Sequence, residues 1–366
     1  MPKQDGIVLQ RSAWQRLKRN KAAMLGLSIV CLAVLLAIIC YFIATDNSTN
    51  ANRMVIEIGG KKPGYSQLFL KIPIRPGSQK NIFKQLIEGK NDAWQYLPIT
   101  RYSARGDSLI VEKYVDEDLT ATQAYSIRQL NNSFPPNKYE IEKIRFWLGT
   151  DKYGRDILSR LLIGVRVSLA VGLITVIISL SIGVLLGALA GYFRGWVDDL
   201  VMWVINVIWS IPTLLLVFAI TLLLGKGFWQ IFIAIGLTMW VSVARIIRGQ
   251  VLSVRELEYV EAARALGFSN TRIIFRHILP NVMGPVLVVA ASNFATAIVI
   301  EAGLSFLGVG VQPPQPSWGL MIKENYNFII THNPMLALVP GIAIMLLVLA
   351  FNLLGNGLRD ALEVKS

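Results

Sequence analysis

A polar stretch at residues 253–280 contains the side chains best suited to binding a partner. Glu261 and Arg264 can form charge-assisted hydrogen bonds. Ala262 and Ala263 are small enough to let another backbone approach closely. These residue types indicate docking of a protein partner rather than catalysis.

Two short helices are expected to position these side chains. Ser253 and Glu256 have the spacing of a capping box, which predicts a helix that begins just after Ser253 and closes at Gly267. Ser269 is expected to cap a second helix, which Pro280 ends. The pattern is also compatible with an ordinary amphipathic surface helix.

Catalytic and metal-binding chemistry is not indicated by the sequence. The two histidines, His277 and His332, are expected on opposite sides of a membrane, where they cannot form one metal site. Cys31 and Cys40 lie nine residues apart in one apolar segment and face different directions on a helix, which indicates packing. No Gly-x-x-x-x-Gly-Lys-Ser/Thr loop occurs, so the sequence indicates no P-loop nucleotide site in this chain.

The two short helices of residues 253–280 form a hairpin, and the segments on both sides of this hairpin are expected to span a membrane. Hydrophobic residues make up 54% of the 366-residue chain and charged residues 16%, and the mean hydropathy is +0.51. This composition is typical of an integral membrane protein. Six apolar segments are long enough to cross a hydrocarbon core of about 30 Å, at residues 23–45, 163–191, 200–224, 228–246, 283–303 and 335–357.

Basic residues predict the orientation, because short loops rich in Lys and Arg stay in the cytoplasm. The tail before the first segment and the loop after the fourth segment are rich in basic residues. By contrast, Lys226 is the single Lys or Arg in the loop after the third segment, and Lys323 is the single one in the loop after the fifth. Both chain ends and the hairpin are therefore expected in the cytosol. The net charge of +13 is attributed to this topology and to lipid contact, and no nucleic-acid role is indicated. The basic residues are Arg11, Arg16, Lys18, Arg19 and Lys21 in the tail, and Arg245, Arg248, Arg255, Arg264, Arg272 and Arg276 in the loop.

An insert of soluble composition follows the first segment. Residues 54–58, 68–72 and 109–115 alternate as strands do, and residues 81–89 are compatible with a helix. A small α+β domain outside the membrane is predicted. It is expected to contact a substrate-delivery protein or the partner subunit. The alternative is a lineage-specific insertion without such a contact. The next stretch, at residues 148–162, is expected to form an interfacial helix that Arg155, Asp156 and Arg160 anchor and cap.

Small residues in the second segment indicate close helix packing. Gly183, Gly187 and Gly191 repeat every four residues and present a smooth stripe on one face. Such a stripe lets two helices approach closely within lipid.

Four residues are candidates for a transport pathway or gate. Pro212 frees a carbonyl and favours a kink in the third segment, which places the polar groups of Asn206 and Ser210 at membrane depth. Structural bending alone is the alternative. Glu301 lies near the end of the fifth segment, where a carboxylate must pair, bind water or line a cavity. Helix capping is its alternative role.

Three parts of the chain resemble bacterial ABC-importer permeases. The run Glu261-Ala262-Ala263-x-x-x-Gly267, followed by Leu279-Pro280, is similar to the "EAA" coupling loop of that family, although His277 stands where an apolar residue is usual. Residues 148–169 and 303–319 closely resemble the C-type subunits of dipeptide, oligopeptide and nickel permeases. The resemblance implies that the loop docks into an ATPase through Glu258, Tyr259, Glu261, Ala262, Ala263, Arg264, Gly267 and Pro280.

The resemblance also implies a fold and a domain order. The fold is an all-α polytopic membrane protein, with the six transmembrane helices of a type I ABC importer permease and a small α+β extracytoplasmic insert between helices 1 and 2. The order is a cytosolic tail at 1–22, transmembrane helix 1 at 23–45, the insert at 46–147, an interfacial helix at 148–162, the permease core at 163–358 with the coupling loop at 253–280 and an outer loop at 304–333, and a cytosolic tail at 359–366.

The partners implied are a homologous permease, two ATP-binding cassette ATPases, an extracytoplasmic solute-binding protein and membrane lipid. The chain itself binds no cofactor, and ATP and Mg²⁺ bind to the ATPases. The expected cargo is short peptides, with nickel chelates and related small solutes as alternatives. An ion-coupled secondary carrier is disfavoured because the segments hold few charges, and a membrane-anchored sensor or scaffold leaves the hairpin unexplained.

Overall fold

The computed structural model describes residues 13–74, 81–90, 92–130, 139–225, 227–331 and 333–362. Arg11, Lys226, His332 and the outer parts of both tails lie outside these residues. The chain divides into two compact units. The helical unit comprises Met1–Val34, Ser168–Gln312 and Ala343–Ser366, and the insert unit comprises Leu35–Val167 and Pro313–Ile342.

Helices form most of the described chain. In chain order they are α1 (Lys21–Ile43), α2 (Ile82–Glu88), α3 (Ile127–Leu130), α4 (Ile157–Phe193), α5 (Gly195–Trp209), α6 (Thr213–Leu224), α7 (Phe228–Val254), α8 (Glu258–Ala265), α9 (Asn270–Ile273), α10 (Leu279–Leu307), α11 (Trp318–Asn325), α12 (Phe328–Thr331) and α13 (Met335–Leu362). The strands are β1 (Tyr65–Pro73), β2 (Trp94–Arg105), β3 (Ser108–Asp116), β4 (Leu119–Ser126) and β5 (Glu140–Phe146).

The long apolar helices agree with a membrane-spanning protein. Among the described residues, five stretches are long and apolar enough to cross a bilayer: α1, α4, α7, the continuous stretch Asn270–Leu307 and α13. Helices α5 and α6 pass the same test only as a pair, and they are bent by 92° at the break between them. The structure therefore contains five such spans, or six if the bent pair is counted as one.

The break between α5 and α6 corrects the sequence-based expectation of one helix at 200–224. Pro212 has no backbone N–H and restricts the residue before it, so the helix ends at Trp209 and restarts at Thr213. The hydroxyl of Ser210 turns back to donate to the carbonyl of Val207 at 2.7 Å. A kink was expected at this position, and the structure has a near-right-angle turn.

The segment at 148–162, expected to form an interfacial helix, is helical only from Ile157 onward. Residues 148–156 are not helical, and α4 continues without interruption for 37 residues from Ile157. The side chain of Asp156 accepts a hydrogen bond from the backbone N–H of Ser159 at 3.1 Å, which satisfies a free amide of the first turn and sets the start of α4. No proline lies between Ile157 and Phe193 to separate an interfacial helix from a spanning helix.

The insert unit contains an antiparallel sheet with strand order β4-β3-β2-β1-β5. Its inward side chains include Leu70, Ile99 and Leu109, which belong to one buried cluster. The strands expected at 68–72 and 109–115 lie within β1 and β3, and the helix expected at 81–89 contains α2. Residues 54–58 do not form a strand, because a single 3₁₀ turn at Ile56–Ile58 leads into the turn at Gly59 and Gly60. The described residues of the insert thus include five strands and the short helices α2 and α3.

The outer loop expected at 304–333 is more helical than its glycine and proline content suggests. Helix α10 extends to Leu307 and ends at Gly308, whose φ of +86° favours glycine. Helices α11 and α12 lie in the rest of the segment, and the hydroxyl of Ser317 caps α11 by accepting from the N–H of Leu320 at 3.1 Å.

Candidate functional site

The hairpin begins differently from the capping-box prediction. Helix α7 continues to Val254, so Ser253 lies in its last turn, and Leu257 is the extended residue from which α8 starts at Glu258. The carboxylate of Glu256 forms an ion pair with Arg194 instead of capping a helix. The prediction fails because Val251 is fully buried in the core and Val254 packs against it, which keeps α7 helical past the proposed cap.

The end of α8 forms a Schellman motif. Gly267 has φ +78° and donates its N–H to the carbonyl of Arg264 at 3.0 Å, while the N–H of Phe268 reaches the carbonyl of Ala263 at 3.2 Å. No atom lies within 4 Å of the position that a Cβ on Gly267 would occupy, so backbone conformation alone selects glycine here. The motif fixes the turn between α8 and α9.

The second half of the hairpin is continuous with a spanning helix. Ser269 caps α9, as its hydroxyl accepts from the N–H of Arg272 at 3.4 Å. A π-helical segment at Ile274–Ile278 then joins α9 to α10, and Pro280 lies in the first turn of α10. The expectation that Pro280 ends the helix is wrong, because the wider π turn precedes it and a proline is tolerated in a first turn.

Helix α8 has one buried face and one exposed face. Val260 and Ala263 are buried in a cluster with Ile247, Ile273 and Ile278 from α7, α9 and the π-helical segment. The exposed residues of the hairpin that were expected to dock are Glu258, Tyr259, Glu261, Ala262, Arg264, Gly267 and Pro280. Of the residues expected to dock, these seven are thus exposed on the hairpin and Ala263 is buried.

The acidic side chains of α8 have no partner within the described part of the chain. Neither Glu258 nor Glu261 takes part in an ion pair or a side-chain hydrogen bond there. Arg264 lies with its guanidinium carbon 5.8 Å from the centre of the Tyr192 ring, a cation–π distance. Two carboxylates and one guanidinium are thus presented to solvent on a short, rigidly closed helix.

Tyr259 links α8 to the start of α10. Its hydroxyl accepts a hydrogen bond from Nδ2 of Asn281 at 2.9 Å and donates to the carbonyl of His277 at 3.4 Å. Asn281 also donates to the carbonyl of His277 at 2.7 Å. Partial desolvation raises the pKa of Tyr259, although the hydrogen bond from Asn281 acts in the opposite direction. Sequence reasoning missed Asn281, although its place beside Pro280 was a signal.

The charged segment between β5 and α4 forms a buried network that the sequence did not reveal. Arg155 donates to Oδ2 of Asp151 and to Oε2 of Glu324, each at 2.6 Å. The guanidinium of Arg160 lies 3.6 Å from Glu324 and 4.0 Å from Asp151. Glu324 is the only acidic residue of the expected outer loop, which was the available signal. The network joins this segment to α11 within the insert unit.

The glycine stripe of α4 lies directly against α7. A Cβ on Gly183 would come within 2.5 Å of the Cβ of Val243, and one on Gly187 within 2.5 Å of the carbonyl oxygen of Ala244. A Cβ on Gly191 would come within 2.8 Å of the carbonyl oxygen of Arg248. The two helices therefore touch along backbone.

The pathway candidates fall into two different environments. Asn206, Ser210 and Pro212 are exposed at the break between α5 and α6. Glu301 is buried, and its carboxylate accepts a hydrogen bond from the hydroxyl of Ser305 at 2.6 Å. That same hydroxyl accepts from the N–H of Val311 at 3.0 Å, which ties the end of α10 to the segment after it.

Comparison with known proteins finds two matching family models and several similar relatives. Residues 183–365 match the binding-protein-dependent transport system inner membrane component family, and residues 9–57 match the N-terminal transmembrane domain of oligopeptide transport permease C. The dipeptide transport system permease protein DppC of Alkalihalophilus pseudofirmus is 43% identical over 231 residues, which cover 63% of this chain and 76% of the relative.

Two further matches are of the same kind. The glutathione transport system permease protein GsiD of Pectobacterium atrosepticum is 43% identical over 219 residues, which cover 60% of this chain and 72% of the relative. An inward-facing structure of the MetNI methionine ABC transporter matches with a TM-score of 0.46 and 20% identity, over 56% of this chain and 97% of the matched chain.

The long apolar helices define a polytopic membrane protein, and the hairpin between α7 and α10 exposes a polar face. The chain belongs to the family of binding-protein-dependent transport system inner membrane components, the permease subunits of ABC importers. The resemblance to the C-type peptide permeases seen in the sequence is confirmed.

Proposed function

We propose that this chain is one of two membrane subunits of an ATP-driven importer of short peptides or related small solutes. A homologous permease forms the other half of the pathway, and an extracytoplasmic solute-binding protein delivers the cargo. Two ABC ATPases bind ATP and Mg²⁺, and this chain binds neither. The names of relatives that carry dipeptides and glutathione support this class of cargo.

The exposed face of α8 is the observation that carries the proposal. Glu258 and Glu261 have no partner in the described chain, while the opposite face is buried and the end of the helix is fixed by Gly267. Unpaired charges on a rigid support are suited to charge-assisted bonds with another protein, because little conformational freedom is lost on binding. The partner is therefore an ATPase subunit that supplies basic groups and a groove for α8.

The hairpin and both chain ends lie in the cytosol on this proposal, and the insert sheet lies outside. Arg245, Arg248 and Arg255 near the hairpin support that orientation through the preference of basic residues for the cytoplasmic side. Nickel chelates remain a second cargo class for the same machinery. Asn206, Ser210 and Pro212 near the α5–α6 break and Glu301 near the end of α10 are the residues proposed for the pathway or gate. Glu301 also ties the end of α10 to the following segment through Ser305.

Charge reversal on α8 tests the docking proposal. The Glu261→Lys variant is expected to lose co-purification with the ATPase subunits in mild detergent and to lose ATP-dependent uptake in proteoliposomes. The reason is that a lysine there repels the basic groups proposed on the ATPase. Yield of the ATPases per mole of permease is the measurement.

Asp118→Lys is the matched control, because Asp118 is exposed in the β3–β4 turn and undergoes the same change of charge. It is expected to co-purify like the unmodified chain. Equal ATPase yield from Glu261→Lys and the unmodified chain would refute docking through α8. Uptake of peptide by vesicles that contain this chain alone would refute the importer proposal and favour a carrier.

A further inference from the structure

The end of α4 contacts the hairpin through the buried Tyr192, in addition to the apolar packing of Ala188 and the ion pair of Arg194 with Glu256. The hydroxyl of Tyr192 donates a hydrogen bond to Oδ1 of Asn270, the first residue of α9, at 2.7 Å. The backbone carbonyl of Tyr192 accepts a hydrogen bond from the guanidinium of Arg255, which lies between α7 and α8. Tyr192 therefore contacts both halves of the hairpin.

The Tyr192 ring is also enclosed by the hairpin. The ring is 5% exposed and shares a buried cluster with Val260 and Ala263 of α8. The guanidinium carbons of Arg255 and Arg264 both lie 5.8 Å from the ring centre. The same side chain is thus held by a hydrogen bond, apolar packing and two cation–π contacts.

This attachment is significant because α4 has no adjacent covalent link to the hairpin. The chain enters the hairpin from α7 and leaves it into α10, so these two helices move with it directly. Between Phe193 at the end of α4 and Glu258 at the start of α8 lie 64 residues, so α4 must be moved through contacts. Gly191, beside Tyr192, packs on α7 but has no side chain that could bond to the hairpin.

We propose that Tyr192 is a positioning residue that transmits displacement of the hairpin to α4 through its hydrogen bond to Asn270. The inference rests on the proposed function, in which an ATPase moves the hairpin. Without the hydroxyl, α8 still docks and ATP is still hydrolysed, but α4 follows the hairpin less completely. The expected phenotype is a loss of coupling and not a loss of ATPase binding.

The test measures movement of α4 and needs no knowledge of the cargo. Spin labels are placed at Leu173 of α4 and Trp229 of α7, two exposed positions, in a chain that lacks Cys31 and Cys40. Distances are measured in the complex with its ATPases, before and after trapping with ATP and vanadate. Loss of one hydrogen bond in Tyr192→Phe is expected to lower the ratio of shifted to unshifted population about fivefold, with ATP hydrolysis retained.

Variants of the acceptor separate the hydrogen bond from general damage. Asn270→Asp keeps an oxygen acceptor and is expected to preserve the shift, whereas Asn270→Ala is expected to reproduce Tyr192→Phe. The double variant Tyr192→Phe/Asn270→Ala should be no worse than either single variant, because both remove the same bond. Tyr125→Phe, which loses a 2.8 Å bond to the amide oxygen of Gln123 in the insert, is the matched control and should behave as the unmodified chain.

The outcomes distinguish the two proposals. A full shift in both Tyr192→Phe and Asn270→Ala overturns the inference and leaves the proposed function standing. A parallel loss of the shift and of ATP hydrolysis in Tyr192→Phe also overturns it, since that result indicates failed docking. Absence of ATPase subunits from the unmodified complex overturns the proposed function itself.

Discussion

Replacing Gly187 with alanine is expected to destabilise the helical unit by about 1–3 kcal/mol, the usual range for an overpacked interior. The added Cβ would lie 2.5 Å from the carbonyl oxygen of Ala244, whereas ordinary contact begins at 3.4 Å. Helices α4 and α7 must therefore separate by about 0.9 Å. Because the obstructing atom belongs to backbone, rotation of a side chain cannot relieve the contact.

The measurement is the free energy of unfolding of the purified chain in bicelles, monitored by the far-ultraviolet signal. Gly249→Ala is the matched control, since Gly249 lies in α7 and nothing is within 4 Å of its added Cβ. That control should be neutral or more stable by up to about 1 kcal/mol, because alanine favours the helix. Equal stability of Gly187→Ala and Gly249→Ala would refute the close-packing argument.

Two further predictions concern the insert unit. Glu324→Gln removes the carboxylate that lies beside two buried arginines, and it is expected to lower the free energy of unfolding by about 3–5 kcal/mol. The control is Glu140→Gln, which alters a surface pair with Lys71 and should lower it by less than about 1 kcal/mol. Similar losses in both variants would refute a role for the network. Burial raises the pKa of Asp156 in the folded chain. Protonation of this carboxyl therefore adds to the free energy of unfolding fully below its unfolded pKa of about 3.9, and that addition is lost as the pH rises through the folded pKa, because the buried group must then ionise. Asp156→Asn should therefore unfold with a smaller pH dependence above about pH 4 than the unmodified chain, and an unchanged dependence would contradict this assignment.

Residues whose roles depend on local pattern could be recognised from the sequence. The apolar segments, Gly267 as a helix terminator and Ser269 as a cap follow from composition and short-range spacing. The capping box at Ser253 failed because burial of Val251 and packing of Val254 keep α7 helical through that position. Local spacing cannot register such a tertiary contact.

Long-range partners were beyond the sequence for the same reason. Glu324 meets Arg155 across 169 positions, and Tyr192 meets Asn270 across 78, so no spacing rule connects them. The sharp angle between α5 and α6 was underestimated because Pro212 predicts an interruption but does not fix its size. The pathway roles of Asn206, Ser210 and Glu301 stay predictions.

The uninterrupted course of α7 has a mechanical consequence. At about 1.5 Å per residue its 27 residues measure about 40 Å, which exceeds a hydrocarbon thickness of about 30 Å. The helix is therefore about 10 Å longer than that thickness and, because it is unbroken, acts as a stiff lever. Tilting such a lever by about 10° sweeps its tip sideways by about 7 Å, more than the rise of one helical turn.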